Sequence, residues 1–84
     1  MKHCVITFRS VMPAQRGEEA LGRAGIRCHL TRTPRMLESL GCGYCLWIPR
    51  AQVTAAVTLL RAQQIAYGKV YQLSESGQWE EVQV

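Results

Sequence analysis

The chain has 84 residues, 48% of them hydrophobic, and a formal net charge of +4. That length gives a single domain with a thin core, and the apolar content excludes intrinsic disorder. No apolar run approaches the roughly 20 residues of a bilayer span, and residues 1–9 lack the apolar length and small-residue cleavage site of a signal peptide. The expected location is therefore cytoplasmic, where the four cysteines would be free thiols and not a disulfide framework. Charge is uneven: all ten lysines and arginines but only three of the six acidic residues fall in residues 1–74, a net +7. Such a body can attract an anionic metabolite, RNA or an acidic protein, although arginines that merely keep a small domain soluble explain the same count.

Residues 3–9 alternate as a strand does, with Cys4, Ile6 and Phe8 on one face and Val5 and Thr7 on the other. Apolar residues on both faces predict a central strand. Ser10 is placed to cap a helix, and Pro13 fits its first turn. The helix is expected to run to about Ala24, burying Ala14, Gly17, Ala20, Leu21 and Ala24, with Gly25 as a left-handed cap. Ile26–Thr31 reads as the second strand, Ile26, Cys28 and Leu30 facing one way and Arg27, His29 and Thr31 the other. An irregular loop from Arg32 to Gly43 follows, marked by Pro34 and two glycines. Tyr44–Ile48 is the third strand, ended by Pro49. Residues 50–64 form a second helix with Val53, Ala56, Val57 and Leu60 as its buried stripe, and Tyr67–Leu73 is the fourth strand. Beyond the turn at 74–78, Trp79–Val84 is either a short edge strand or a loose tail.

The order β-α-β-β-α-β predicts an α+β ferredoxin-like split βαβ sandwich: a four-stranded antiparallel sheet with both helices on one face. It would occupy residues 1–74, leaving residues 75–84 as an acidic tail or short edge strand. The uncovered sheet face would show Val5, His29, Trp47 and Tyr71, a candidate surface for a homodimer or a docked partner.

The triplet Gly41-Cys42-Gly43 carries the most chemistry. A thiol between glycines sits on backbone free to adopt φ > 0 and to approach another molecule closely. Arg32 and Arg35 share its loop, and positive charge there would favour the nucleophilic thiolate. Taken alone, Cys42 is equally a small turn residue with no role. Cys42-Gly43-Tyr44-Cys45 is also a C-x-x-C element, but it leads into a strand and not a helix, unlike thioredoxin-type motifs. If extended, it separates the two Cα atoms by about 10 Å, too far for a disulfide without a tight turn. Cys45 then reads as a packed strand residue. One C-x-x-C pair is too few ligands for a structural zinc site, so the metal reading reduces to a two-thiolate copper or zinc site at Cys42 and Cys45. No phosphate loop, H-E-x-x-H or nucleophile elbow is present, so no cofactor is expected. The third strand lacks the aromatic pattern of an RNA-recognition domain, which leaves nucleic-acid binding resting on charge alone.

The chain resembles the putative Se/S carrier protein-like family of short bacterial proteins. The likeness lies in Val5-Ile6-Thr7-Phe8-Arg9-Ser10, in Ala14–Glu18 with Leu21 and Ala24-Gly25-Ile26, and in Thr33-Pro34-Arg35 followed by Cys42-Gly43. It implies sulfur or selenium handling with Cys42 at the family's cysteine. Members often carry serines just before that cysteine, where this chain has Ser39-Leu40-Gly41. The expected role is that of a carrier more than a stand-alone enzyme. Cys42 would accept a persulfide or perselenide from a cysteine desulfurase or selenocysteine lyase-like donor and pass it to an acceptor enzyme. Arg32, Arg35, Gly41 and Gly43 would line the site, and Cys45 would act as a second reactive thiol. The alternatives are a non-catalytic interaction module and the two-thiolate metal protein.

Overall fold

The computed structural model describes residues 3–34 and 43–83. In chain order these form β1 (His3–Phe8), α1 (Val11–Arg23), β2 (His29–Arg32), β3 (Tyr44–Pro49), a 3₁₀ turn at Arg50–Gln52, α2 (Val53–Ala62), β4 (Val70–Leu73) and β5 (Trp79–Glu81). The strands make one sheet in the order β2-β3-β1-β4-β5, every neighbouring pair antiparallel. The sheet thus has five strands where four were expected, because the C-terminal segment, read as an edge strand or a loose tail, pairs with β4 (Tyr71 with Glu81, Leu73 with Trp79). β1 is central, as apolar residues on both its faces predicted, and lies between β3 and β4.

Alternation along β1 and β3 puts Cys4, Ile6, Phe8, Leu46 and Ile48 on the side that meets the helices. From α1 come Ala14, Ala20 and Leu21, from α2 Val53, Ala56, Val57 and Leu60, and all join one buried cluster. Gly17 lets α1 lie close to the sheet. A Cβ there would stand 3.3 Å from Leu46, Leu60 and Phe8 side-chain carbons.

Both helices stop in the same way. Gly25 (φ 79) and Gln64 (φ 57) take left-handed conformations. The Ile26 N–H then donates to the Leu21 carbonyl and the Ile65 N–H to the Leu60 carbonyl, each at 2.9 Å, the Schellman closure. Ile26 and Ile65 bury their side chains against the helix they end.

This closure moves β2. The expected strand began at Ile26, but that residue's N–H is committed to the α1 cap, and ladder pairing starts only at His29 opposite Trp47. β4 likewise begins at Val70 and not Tyr67. The Thr7 hydroxyl accepts the Lys69 N–H at 2.9 Å, a side chain standing where a ladder carbonyl would be. Ser10 occupies the N-cap position of α1 in extended backbone, but its hydroxyl makes no capping bond. No helix among the described residues is long and apolar enough to cross a membrane.

The face away from the helices is not open. Trp47 on β3 and Trp79 on β5 meet edge to face, ring centroids 5.7 Å apart, across the intervening strands β1 and β4. Val5 and Cys45 on this face are 0% exposed. Val5, expected at the surface, is therefore buried, while His29 is exposed and Trp47 and Tyr71 are half-buried.

Candidate functional site

β2 and β3 form a hairpin whose last ladder pair is Arg32 with Tyr44. The Thr33 N–H extends the ladder by donating to the Gly43 carbonyl at 3.2 Å. These two residues are the neck from which the Cys42 loop departs. Arg35, Gly41 and Cys42 lie outside the described residues. A Cβ added at Gly43 would meet nothing within 4 Å among the described residues.

The topology gathers positive charge at this end of the sheet. β1 finishes here, followed by Arg9 and the start of α1, β2 finishes at Arg32, and β4 begins just after Lys69. The first turn of α1 holds no acidic residue, so its N-terminal N–H groups add positive potential uncancelled by a carboxylate. Arg32 lays its guanidinium over the Tyr44 ring, 5.5 Å from the centroid. Arg61, at the end of α2, donates to the Tyr67 hydroxyl at 2.9 Å. Lys69 lies 3.7 Å from Glu81, a solvent-exposed and therefore weak pairing.

Beneath the neck, on the face away from the helices, is a polar cluster. The Trp47 indole N–H donates to the Thr31 hydroxyl at 2.8 Å. Thr31 Oγ1 lies 3.4 Å from Cys45 Sγ and 3.1 Å from the Arg32 carbonyl. Cys45 Sγ donates to that same carbonyl at 3.8 Å. Burial pushes the Cys45 thiol up from its ordinary value of 9.0, against opposing pulls from Thr31, Thr33 and Trp47. Cys4 is raised by burial, opposed by Arg50, and Cys28 by burial with Glu18 adding to it. All three described thiols are therefore protonated at neutral pH. Arg32 and Cys45 do come together, but through the Arg32 carbonyl, while the Arg32 side chain goes to Tyr44. No group of three or more His, Cys, Asp or Glu among the described residues could hold a metal ion.

Thr31 and Thr33 were not singled out from the sequence, and Trp47 was named only as part of the uncovered sheet face. Their signal was the alternation Thr31-x-Thr33, which in a hairpin falls on the face of Cys45 and Trp47 once the register is known.

The family model described as putative Se/S carrier protein-like matches residues 3–72. The chain belongs to that family. The match runs from β1 into β4, so the hairpin and its neck lie inside the family's span and β5 lies outside it. No curated protein and no solved structure matches the chain.

Proposed function

We propose that this member of the family carries sulfur or selenium on Cys42, within a ferredoxin-like split βαβ fold extended by one edge strand. The observation that carries the reading is the burial of the other thiols: Cys4 and Cys45 are closed to solvent and Cys28 is half-buried, which pushes each thiol up from its ordinary value. Cys42 adjoins Gly43, at the end of the sheet where Arg9, Arg32, Lys69 and the start of α1 gather positive charge. Cationic surroundings favour the thiolate and the anion it would bear.

In loading, the Cys42 thiolate attacks the outer atom of a donor's persulfide or perselenide. A Cys42 S–S or S–Se bond forms, the donor's bond to that atom breaks, and the donor leaves as a thiolate. Delivery repeats the exchange onto an acceptor enzyme's thiolate. A cysteine desulfurase or selenocysteine lyase-like enzyme is the proposed donor. A reducing compartment suits this chemistry, and the cytoplasm is the proposed location. Arg35 and Gly41 belong to the proposed loop site with Arg32 and Gly43. Cys45 joins as a second thiol only after its contacts with Thr31 and the Arg32 carbonyl break. It would then attack the inner sulfur of Cys42, expel sulfide or selenide and leave a disulfide.

Intact-mass spectrometry after incubation with a cysteine desulfurase and cysteine tests the reading. The expected result is a reductant-labile gain of one sulfur on Cys42, lost in Cys42→Ser. Equal loading of the Cys42→Ser protein would refute it.

A further inference from the structure

The last strand is held to the sheet by little. β5 has three residues, and both glutamates in it are exposed. Its side chains are tied down by the Trp79–Trp47 ring contact, a Gln72–Glu80 bond stretched to 3.4 Å and the exposed Lys69–Glu81 pairing at 3.7 Å. Val82, just past it, packs half-buried against the core. β4 is different in kind. Val70-Tyr71-Gln72-Leu73 carries no charge, Val70 is buried, and Leu73 leaves 44% of a large apolar side chain exposed. The Val82 N–H donates to the Val70 carbonyl, the Ser74 N–H to the Gln78 carbonyl and the Thr7 N–H to the Lys69 carbonyl. Alternation then turns the backbone groups of Val70, Gln72 and Ser74 to β5, and those of Lys69, Tyr71 and Leu73 to β1. An uncharged strand with one such row unpaired is a template for another chain. β5 covers that row and brings Glu80 and Glu81 to the rim, where pairing of β5 with its own copy would set like charges together.

We propose that β5 is a strap over a latent dimer edge, and that β4 of a second copy takes its place when it lifts. The register argues for that partner. An antiparallel two-fold ladder centred on Gln72 sets Gln72 against Gln72, a pair that exchanges both backbone bonds, and Val70 against Ser74. It sets Tyr71 against the copy's Leu73, an aromatic beside an aliphatic side chain on one face, and Lys69 against the copy's Glu75, opposite charges. Lys69 thus exchanges Glu81 for Glu75. In the intact chain the tether decides the contest. A tight turn at Gly77 (φ 84) feeds β5 back onto β4, and a strand so tethered competes at an effective concentration in the millimolar range. The strap also lies beyond the family match, which ends at residue 72 inside β4. This device is independent of any cargo on Cys42.

The test is analytical ultracentrifugation of the full-length chain and its variants over one concentration series, with circular dichroism to follow folding. The Glu80 backbone faces β4 opposite Gln72, so Glu80→Pro removes a ladder bond and detaches β5. The mass of this variant should double as concentration rises, while the wild type stays monomeric. Adding Gln72→Pro should return it to monomer, because the lost N–H lies on the β5 side of β4 and the ladder with β1 is kept. Adding Lys69→Glu instead should weaken the dimer about tenfold, since the like-charge pair occurs twice. Glu75→Lys on top of that change should restore it. A Glu80→Pro protein that is monomeric or unfolded overturns the proposal, as does a wild type that dimerises in the same range. So does a dimer indifferent to Gln72→Pro or Lys69→Glu, or one that Glu75→Lys does not restore.

Discussion

The two faces of the sheet are closed by different means. Under the helices, Cys4, Ile6, Phe8, Leu46 and Ile48 meet the stripes of α1 and α2 in one apolar cluster. On the opposite face, Val5 and Cys45 are as fully buried, yet no helix covers them. The Trp47–Trp79 pair spans the strands, and hydroxyls, a thiol and an indole N–H bond one another beside the neck. The first face holds the fold together. The second keeps polar groups in fixed positions beside the Thr33–Gly43 pairing that ends the described part of the β2–β3 hairpin.

Substitutions can break or sharpen this contrast. The largest effect should come from Phe8→Ala, which empties the helix-covered core at its close contact with Gly17 and should destabilise by about 3–5 kcal/mol in denaturant unfolding. Thr31→Val should come next, at about 1–3 kcal/mol, because it leaves the part-buried Trp47 indole N–H without its acceptor. Trp79→Ala should be smaller, about 1–2 kcal/mol, since one ring contact and a half-exposed side chain are lost at the sheet edge. A loss from Trp79→Ala as large as that from Phe8→Ala would show that the second face is also a primary core. The least effect belongs to alkaline pH. Burial raises the Cys4, Cys28 and Cys45 thiols, so the unfolded chain releases their protons first. Stability should be intact below 9.0, the ordinary thiol value, and decline as pH rises past it toward the raised folded values. A flat unfolding midpoint across that range would argue that these thiols are not buried.

Much of the fold was legible because it is written in local periodicity. The face assignments of β1, the stripes of α1 and α2, and the left-handed cap at Gly25 follow from residues within a few positions of one another. The errors came where local and distant demands compete. Ile26 and Tyr67 both continue a strand pattern, but the first is claimed by a helix cap, and pairing before Val70 is altered by a threonine 62 residues away. Val5 looked exposed because its neighbours on that face, Trp47 and Tyr71, are set by strand register and not by nearby sequence. The site was half legible. Cys42 and its arginines stand out by composition, whereas Thr31, Thr33 and Trp47 gain meaning only through the β2–β3 register, which is a tertiary fact.

The carrier proposal divides the four cysteines into one that reacts first, Cys42, and three that burial holds back in the native fold. The direct test is timed alkylation of the native protein by iodoacetamide at neutral pH, with each cysteine followed by peptide mass spectrometry. Cys42 should be labelled first, half-buried Cys28 well after it, and Cys4 and Cys45 only once the protein is unfolded. Labelling of Cys4 or Cys45 as fast as Cys42 in the folded chain, or a Cys42 as protected as they are, would contradict the account.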